Sequence, residues 1–386
     1  AVMVMPVMML FGSFYSMNAY EPLLFTSIVL FVVKMLQQQN ARYWLFIGIL
    51  FGIGLQMKHT IVLYGLALVV GLLCTPQRKL LWNRWAIWGF LACFLIILPN
   101  LVWQVVNHFP TLELYHNSFV YKNIPKPALQ VIAEQIVFVN PATFLLWFAG
   151  AVALLFDAAK KFRPLLFAYV FLMAIMIAGH SSRPDRISSI YPFLMAMGAV
   201  SVEHYLQKWQ RATQLFLAVL MLAGGMILAP LFVPVLPPAS FKTYASKLGI
   251  RFDIEAGKKG EPIPQWLADR IGWPELAFEV AKVYNSLPAD KQKNTVIVSS
   301  NYGQAGALEL YGPQLGLPAV YGTHNSFHSW GPPPDSVTTY IGVNIDADGV
   351  KDMFGSIEEV AVFYCADCTR PQQNQPIYIL RGPRFS

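Results

Sequence analysis

The residues with the most chemistry in this chain interrupt or border long apolar runs. The foremost is the carboxylate of Glu21, in Ser16-Met17-Asn18-Ala19-Tyr20-Glu21-Pro22. An ionisable group at a membrane edge is costly to keep, so it is a functional candidate by default. Asn18, one helical turn earlier, can present an amide beside it. A second polar segment is Gln56-Met57-Lys58-His59-Thr60. A third runs from Trp103 to Glu113 and carries His108 and Glu113; it is amphipathic enough to lie along the interface. A fourth is His180-Ser181-Ser182-Arg183-Pro184-Asp185-Arg186, with Tyr191 shortly after. Lys and Arg can hold a phosphate, and a carboxylate can take a proton from an attacking hydroxyl. The mixture therefore suits a lipid-phosphate ligand.

Each residue also has a plainer reading. Glu21 before Pro22 is an ordinary acid near a helix start, favoured by the macrodipole. Lys58 and His59 can be snorkelling interface residues. Arg183, Asp185 and Arg186 can be a solvated loop with a local ion pair. His108 and Glu113 can be plain surface. Convergence of the four segments on one membrane face is what favours chemistry.

Elements that would position these groups follow from composition. The chain has 386 residues, 55% hydrophobic and only 13% charged, too apolar for an ordinary soluble domain. Residues 1–236 hold almost all the long apolar runs, and 237–386 have ordinary soluble composition. The expected fold class is an α-helical polytopic membrane protein with a small C-terminal α/β soluble domain. Runs at 1–15, 22–36, 43–57, 60–75, 84–104, 136–156, 164–180, 188–204 and 213–235 predict about nine spans, the first partial. The opening without Met reads as the later part of a longer protein. A net charge of +7 does not imply nucleic acid, because the basic residues are scattered among short loops.

Alternate loops differ in Lys and Arg content. Lys34, Arg42, Arg78, Lys79, Arg84, Lys160, Lys161, Arg163, Lys208 and Arg211 outnumber Lys58, Lys122, Lys126, Arg183 and Arg186 by about two to one. The richer set is assigned to the cytoplasm. Glu21, Lys58-His59, residues 105–135, residues 180–187 and the C-terminal domain then face outward, and the expected location is a bacterial plasma membrane.

Three segments taken in order resemble a known family: 16–23, Gly52 to Thr60, and Pro99 to Glu113. With Asn140-Pro141, the Tyr191-Pro192 segment, Asn301 to Ala307 and Gly322 to Ser326, they look like bacterial relatives of the dolichyl-phosphate-mannose protein mannosyltransferases, glycosyltransferase family 39 of GT-C architecture. The resemblance implies sugar transfer from a polyprenyl-phosphate donor to a glycan, lipid or protein acceptor on the outer leaflet. Family members commonly carry a catalytic acid in an outer loop between the first two spans, and that loop is missing here. Glu21 matches the second family acid, where Asp before Pro is frequent. Lys58, Arg183 or Arg186 would stabilise the departing lipid phosphate, with His59 and His180 donating hydrogen bonds. Tyr191 matches the place where such enzymes approach the lipid phosphate. Some distant relatives use a divalent metal; no residues here have clear ligand spacing for one, so the cofactor is left unassigned.

In the C-terminal part, helices are expected at 265–269, 273–287 and 304–312, and strands at 295–299, 319–321, 338–343, 360–364 and 376–380. Asn301-Tyr302-Gly303-Gln304 falls where a strand meets a helix, a place for ligand contact or simply a turn. His324, His328, Cys365 and Cys368 could form a zinc site only if the segments meet; on an outer face a Cys365–Cys368 disulfide is the expectation. A lipid-linked sugar flippase would instead place ionisable groups at mid-membrane in broken helices. An assembly scaffold would be indifferent to loss of Glu21 or Lys58.

Overall fold

The computed structural model describes residues 1–122, 124–181, 183–205, 210–254, 258–368 and 372–384. Ser182 and Lys208, named above, lie outside the described residues. The chain divides into two compact units, 1–249 with 253–259, and 250–252 with 260–386. The helix at Pro238–Lys247 therefore goes with the first unit.

In lipid the backbone must satisfy its own hydrogen bonds, so the apolar runs fold as helices. They are α1 (Pro6–Gly12), α2 (Met17–Gln38), α3 (Tyr43–Met57), α4 (Ile61–Leu73), α5 (Arg84–Val106), α6 (Pro110–Asn117), α7 (Ala128–Phe138), α8 (Phe144–Ala153), α9 (Arg163–Ala178), α10 (Tyr191–Tyr205), α11 (Gln210–Phe232) and α12 (Pro238–Lys247). Ser16 starts α2 by accepting from the Asn18 N–H, and Asn83 starts α5 in the same way. Among the described residues four helical stretches are long and apolar enough to cross a membrane: Met17–Gln38, Arg84–Val106, Ala159–Ala178 and Arg211–Phe232. A fifth span results if the pair 128–138 and 141–153, bent by 92°, counts as one.

The nine expected runs are thus all largely helical, but not nine full-length spans. Helices α3 and α4, at 15 and 13 residues, are too short to cross a core of about 30 Å upright. The run expected at 136–156 breaks at Asn140, whose φ of 78° no helix tolerates. Its side chain repairs the break: Oδ1 accepts from the Ala142 N–H, and Nδ2 donates to the carbonyls of Val4 and Met221.

Helices α3 and α5 cross with backbones almost touching. A Cβ on Gly48 would lie 1.9 Å from the Gly89 carbonyl oxygen, so neither position accepts a side chain. Small residues at crossings are how membrane helices gain van der Waals contact without a hydrophobic driving force.

The second unit is a small α/β domain. Its five-stranded sheet has the order β4 (Val320–Gly322), β3 (Thr295–Ser299), β5 (Thr339–Val343), β7 (Gln375–Pro383), β6 (Phe354–Phe363). Strand β3 is parallel to both β4 and β5; β7 is antiparallel to β5 and β6. A separate two-stranded sheet joins β1 (Phe252–Ile254) and β2 (Lys258–Glu261). Central β5 is buried throughout, as a strand flanked on both sides should be. Helix α14 (Trp273–Asn285) lays Leu276, Ala277, Val280 and Val283 onto Ile297, Ile341, Val343 and Ile379. The other helices are α13 (Gln265–Ala268), α15 (Ala289–Gln292), α16 (Tyr302–Tyr311) and α17 (Ser326–Ser329). The expected α/β character and helix positions hold, and β6 begins six residues earlier than its expected start at 360. Cys365 and Cys368 are joined by a disulfide, so neither thiol is free to hold zinc. Gly272, at φ 89°, lies against that disulfide: a Cβ there would sit 2.8 Å from the Cys368 sulfur.

Candidate functional site

Glu21 lies in the second turn of α2 and Lys58 caps the C-terminus of α3. Their side chains meet: Lys58 Nζ is 2.5 Å from Glu21 Oε2, and Glu21 is only 3% exposed. A buried carboxylate needs such a partner. Tyr64, from the second turn of α4, donates its hydroxyl to the Arg186 carbonyl oxygen at 2.7 Å, and the same hydroxyl is 3.4 Å from Glu21 Oε1. Three helix ends and the 310 segment Pro184–Ile190 are thereby tied into one cluster.

That segment supplies the remaining charges. Arg183 makes a bidentate pair with Asp185, Nε to Oδ1 and NH2 to Oδ2, both at 2.9 Å. Burial alone would push the Asp185 carboxyl up. The Arg183 guanidinium bonded to it, with Lys58 and Arg186 nearby, outweighs that and holds it below the usual carboxylate range. Arg186 is half-buried, and its guanidinium makes one long contact, 3.5 Å to Ser181 Oγ. Burial, with the Arg183 charge beside it, lowers its pKa from the ordinary arginine value. Arg186 is thus a cation that, among the described residues, has no carboxylate bonded to it.

Asn18 is the local exception to hydrogen-bond satisfaction. Its Oδ1 is buried with no partner among the described residues, and so is Thr60 Oγ1. Pro22, four residues on, has no N–H to give the Asn18 carbonyl. Both orphans belong to the segments that carry Glu21 and Lys58, and buried unsatisfied polar atoms call for an explanation such as a bound group.

The other expected site residues separate. His59 faces Tyr115 of α6, ring centroids 6.5 Å apart, at the edge of the cluster. His108, at φ 59°, and Glu113 are exposed around the turn into α6. His180 Nδ1 is bonded to the Lys126 carbonyl at 3.1 Å, on the 124–134 segment, where Lys126 pairs with Glu134. Tyr191 is fully buried, donating to Gln135 Oε1 at 3.1 Å and packing on Trp147 and Tyr169. Its ring lies where α8, α9 and α10 converge. Gln135 in turn donates to the Pro184 carbonyl, which links Tyr191 to the Arg183–Arg186 segment.

Sequence reasoning missed Tyr64, Gln135 and the buried role of Asp185. Tyr64 stands alone in an apolar helix, and its hydroxyl partner is 122 residues away, so no local signal marks it.

An apolar cavity of about 660 Å³ runs between α2 and α10. Val29, Val33, Phe193, Ala196 and Met197 line its middle. One end is at Ser189, which neighbours the Tyr64 hydroxyl; the other is at Gln37, Lys161 and His204. Among the described residues no three His, Cys, Asp or Glu side chains converge as metal ligands.

Residues 1–103 match the family model described as Dolichyl-phosphate-mannose-protein mannosyltransferase. The matched stretch contains Glu21, Lys58 and Tyr64; Arg183 to Arg186 lie beyond it. No curated protein and no solved structure matches the chain. The apolar helices indicate a multi-pass membrane protein, and its first 103 residues are similar to that mannosyltransferase family.

Proposed function

We propose that this protein moves a sugar from a polyprenyl-phosphate donor to a hydroxyl of a glycan, lipid or protein acceptor on the extracytoplasmic face of a bacterial plasma membrane. The observation that carries the reading is the buried Glu21–Lys58 pair, which Tyr64 links to the Arg186 backbone and to Ser189 at one end of an apolar cavity. A carboxylate and cations at the mouth of a greasy channel fit a donor that is an anion on a hydrocarbon tail. From Thr26 to Gln37 the channel follows α2 for roughly 16 Å, about half a bilayer core.

Orientation rests on the opposite end of the helices. There Arg42 stacks over Trp85 at 5.6 Å, Gln39 bonds Gln77, and Arg78, Lys79 and Arg84 follow closely in sequence. That basic end suits the cytoplasm and supports an outward-facing Glu21.

In the proposed reaction the acceptor oxygen bonds to the anomeric carbon. Its proton passes to Glu21. The bond from the anomeric carbon to the phosphate oxygen breaks, and its electron pair leaves on the lipid phosphate. Lys58 and Arg186 neutralise the charge gathering there. Arg183 is committed to Asp185 and holds the segment in place. Asn18 Oδ1 can accept from a sugar hydroxyl.

The test is turnover of a radiolabelled polyprenyl-phosphate sugar by full-length protein and by Glu21→Gln. A fall of roughly 10²-fold or more is expected for loss of a general base. Equal turnover would remove Glu21 from the mechanism.

A further inference from the structure

The carboxyl edge of the parallel strands in the second unit collects groups that no step above uses. Strands β3 and β4 end side by side, and β5 ends on the other side of β3. The chain leaves β3 for α16 and reaches β4 on one side, while β5 flanks the other. Ligands of open α/β sheets sit in the crevice at such a reversal.

Six residues stand there: Asn301 and Tyr302 after β3, His324, Asn325 and Trp330 after β4, and Asn344 after β5. Tyr302 and His324 meet edge to face, centroids 5.0 Å apart. Tyr302 is 46% exposed and Trp330 65%. Trp330 packs on Phe327, 4.7 Å away, and Phe327 lies on Gly322 of β4. Asn325 is exposed, at φ 55°, and its amide bonds nothing among the described residues. Beneath them a buried polar chain fixes the edge: Asn344 donates to Gln304, which donates to Gln375.

The chemistry selects the ligand. Strand β3, helix α16 and strand β4 form a βαβ unit, the setting for a nucleotide. A nucleotide phosphate would need the α16 N-terminal amides and a cation. Asn301 Oδ1 already takes the Gly303 N–H at 2.7 Å. Residues 299–306, 322–331 and 343–349 contain no Lys or Arg. A sugar ring needs the opposite: an aromatic face for its C–H side, and amides for its hydroxyls.

We infer that this edge binds a neutral hexopyranose unit of a glycan. The inference rests on the glycosyltransferase reading only in making that glycan the natural acceptor. Binding itself is measured on protein that carries Glu21→Gln, so the two ideas can fail separately.

The experiment uses full-length detergent-solubilised protein in which Glu21→Gln is combined with Lys58→Met, so that no buried charge is left unpaired, and saturation-transfer NMR with three neutral probes: maltohexaose, mannohexaose and chitohexaose. At least one is expected to bind, with affinity falling tenfold or more in Tyr302→Ala and Asn325→Ala. Tyr302→Phe keeps the ring and should keep the binding; Trp82→Ala, an exposed tryptophan in the first unit, should leave it unchanged. No binding by any probe, or equal binding by Tyr302→Ala, overturns the inference. Quenching of Trp330 by dibrominated phosphatidylcholine in nanodiscs would also overturn it, by assigning the patch to the membrane surface.

Discussion

Lys58 Nζ lies 2.5 Å from Glu21 Oε2, joining residues 37 apart in sequence and closing α2 onto the end of α3. The pair is structural, and in the proposed reaction it is chemical as well. Removing one partner leaves the other charged and buried, which costs about 3–5 kcal/mol, whereas replacing both with neutral groups is far milder.

Lys58→Met alone should therefore lower the thermal midpoint strongly. Adding Glu21→Gln should recover most of it without restoring turnover. Thermal unfolding of the three variants in one detergent checks this. A double variant as unstable as Lys58→Met would show that the pair contributes through packing rather than charge.

Tyr64→Phe keeps the ring, which packs 4.0 Å from Phe25, and removes only the hydroxyl. The Arg186 carbonyl loses its donor, a loss of about 1 kcal/mol in stability. Arg186 should also be less well placed for a phosphate, so turnover should fall with little change in donor KM. If KM rises and kcat holds, Tyr64 serves binding rather than placement of Arg186.

Such contacts explain what the sequence could and could not disclose. Helices announced themselves through long apolar runs, since lipid demands internally bonded backbone. The break at Asn140 stayed hidden within one apolar run, because hydropathy does not register a φ of 78°. Glu21, Lys58, Arg183 and Arg186 were legible as charges where none is cheap. Which charge meets which was not, because Lys58 turns to Glu21 while Arg183 is taken by its own neighbour Asp185. Tyr191 was legible as notable, but its hydrogen bond was not, since its partner Gln135 is 56 residues away. In the second unit the β-branched central strands were plain. The start of β6 was not, since Ser356, Glu358 and Glu359 make an exposed edge look like a loop.

Asp185 supplies a pH dependence. Its folded pKa is depressed, chiefly by Arg183 acting against burial. A depressed carboxylate adds stability that is fully present above its unfolded pKa, about 3.9, and lost as pH falls through the folded value. Stability should thus be insensitive to this group from pH 8 to 5 and decline below about pH 4. Asp185→Asn should be less stable at neutral pH and show a smaller decline on acidification. Thermal midpoints at pH 7, 5 and 3.5 for both proteins test it; parallel curves would remove Asp185 as the acid-sensitive group.

Ala196 offers a test of the channel that leaves the charged cluster intact. It lines the middle of the 660 Å³ cavity and is exposed there, so a larger side chain fills space rather than displacing packed atoms. Ala199, three residues on in α10, is exposed but lies outside the lining. Ala196→Trp should raise the donor KM about tenfold or more, roughly 1.4 kcal/mol of binding, with kcat little changed, because the tail contributes equally to ground and transition states. Ala199→Trp should leave both constants alone. A short-chain prenyl-phosphate donor, which does not reach Ala196, should be handled alike by all three proteins. Equal kinetics of Ala196→Trp and Ala199→Trp with the long donor would show that the lipid tail runs elsewhere, and that the cavity beside Ser189 is not its path.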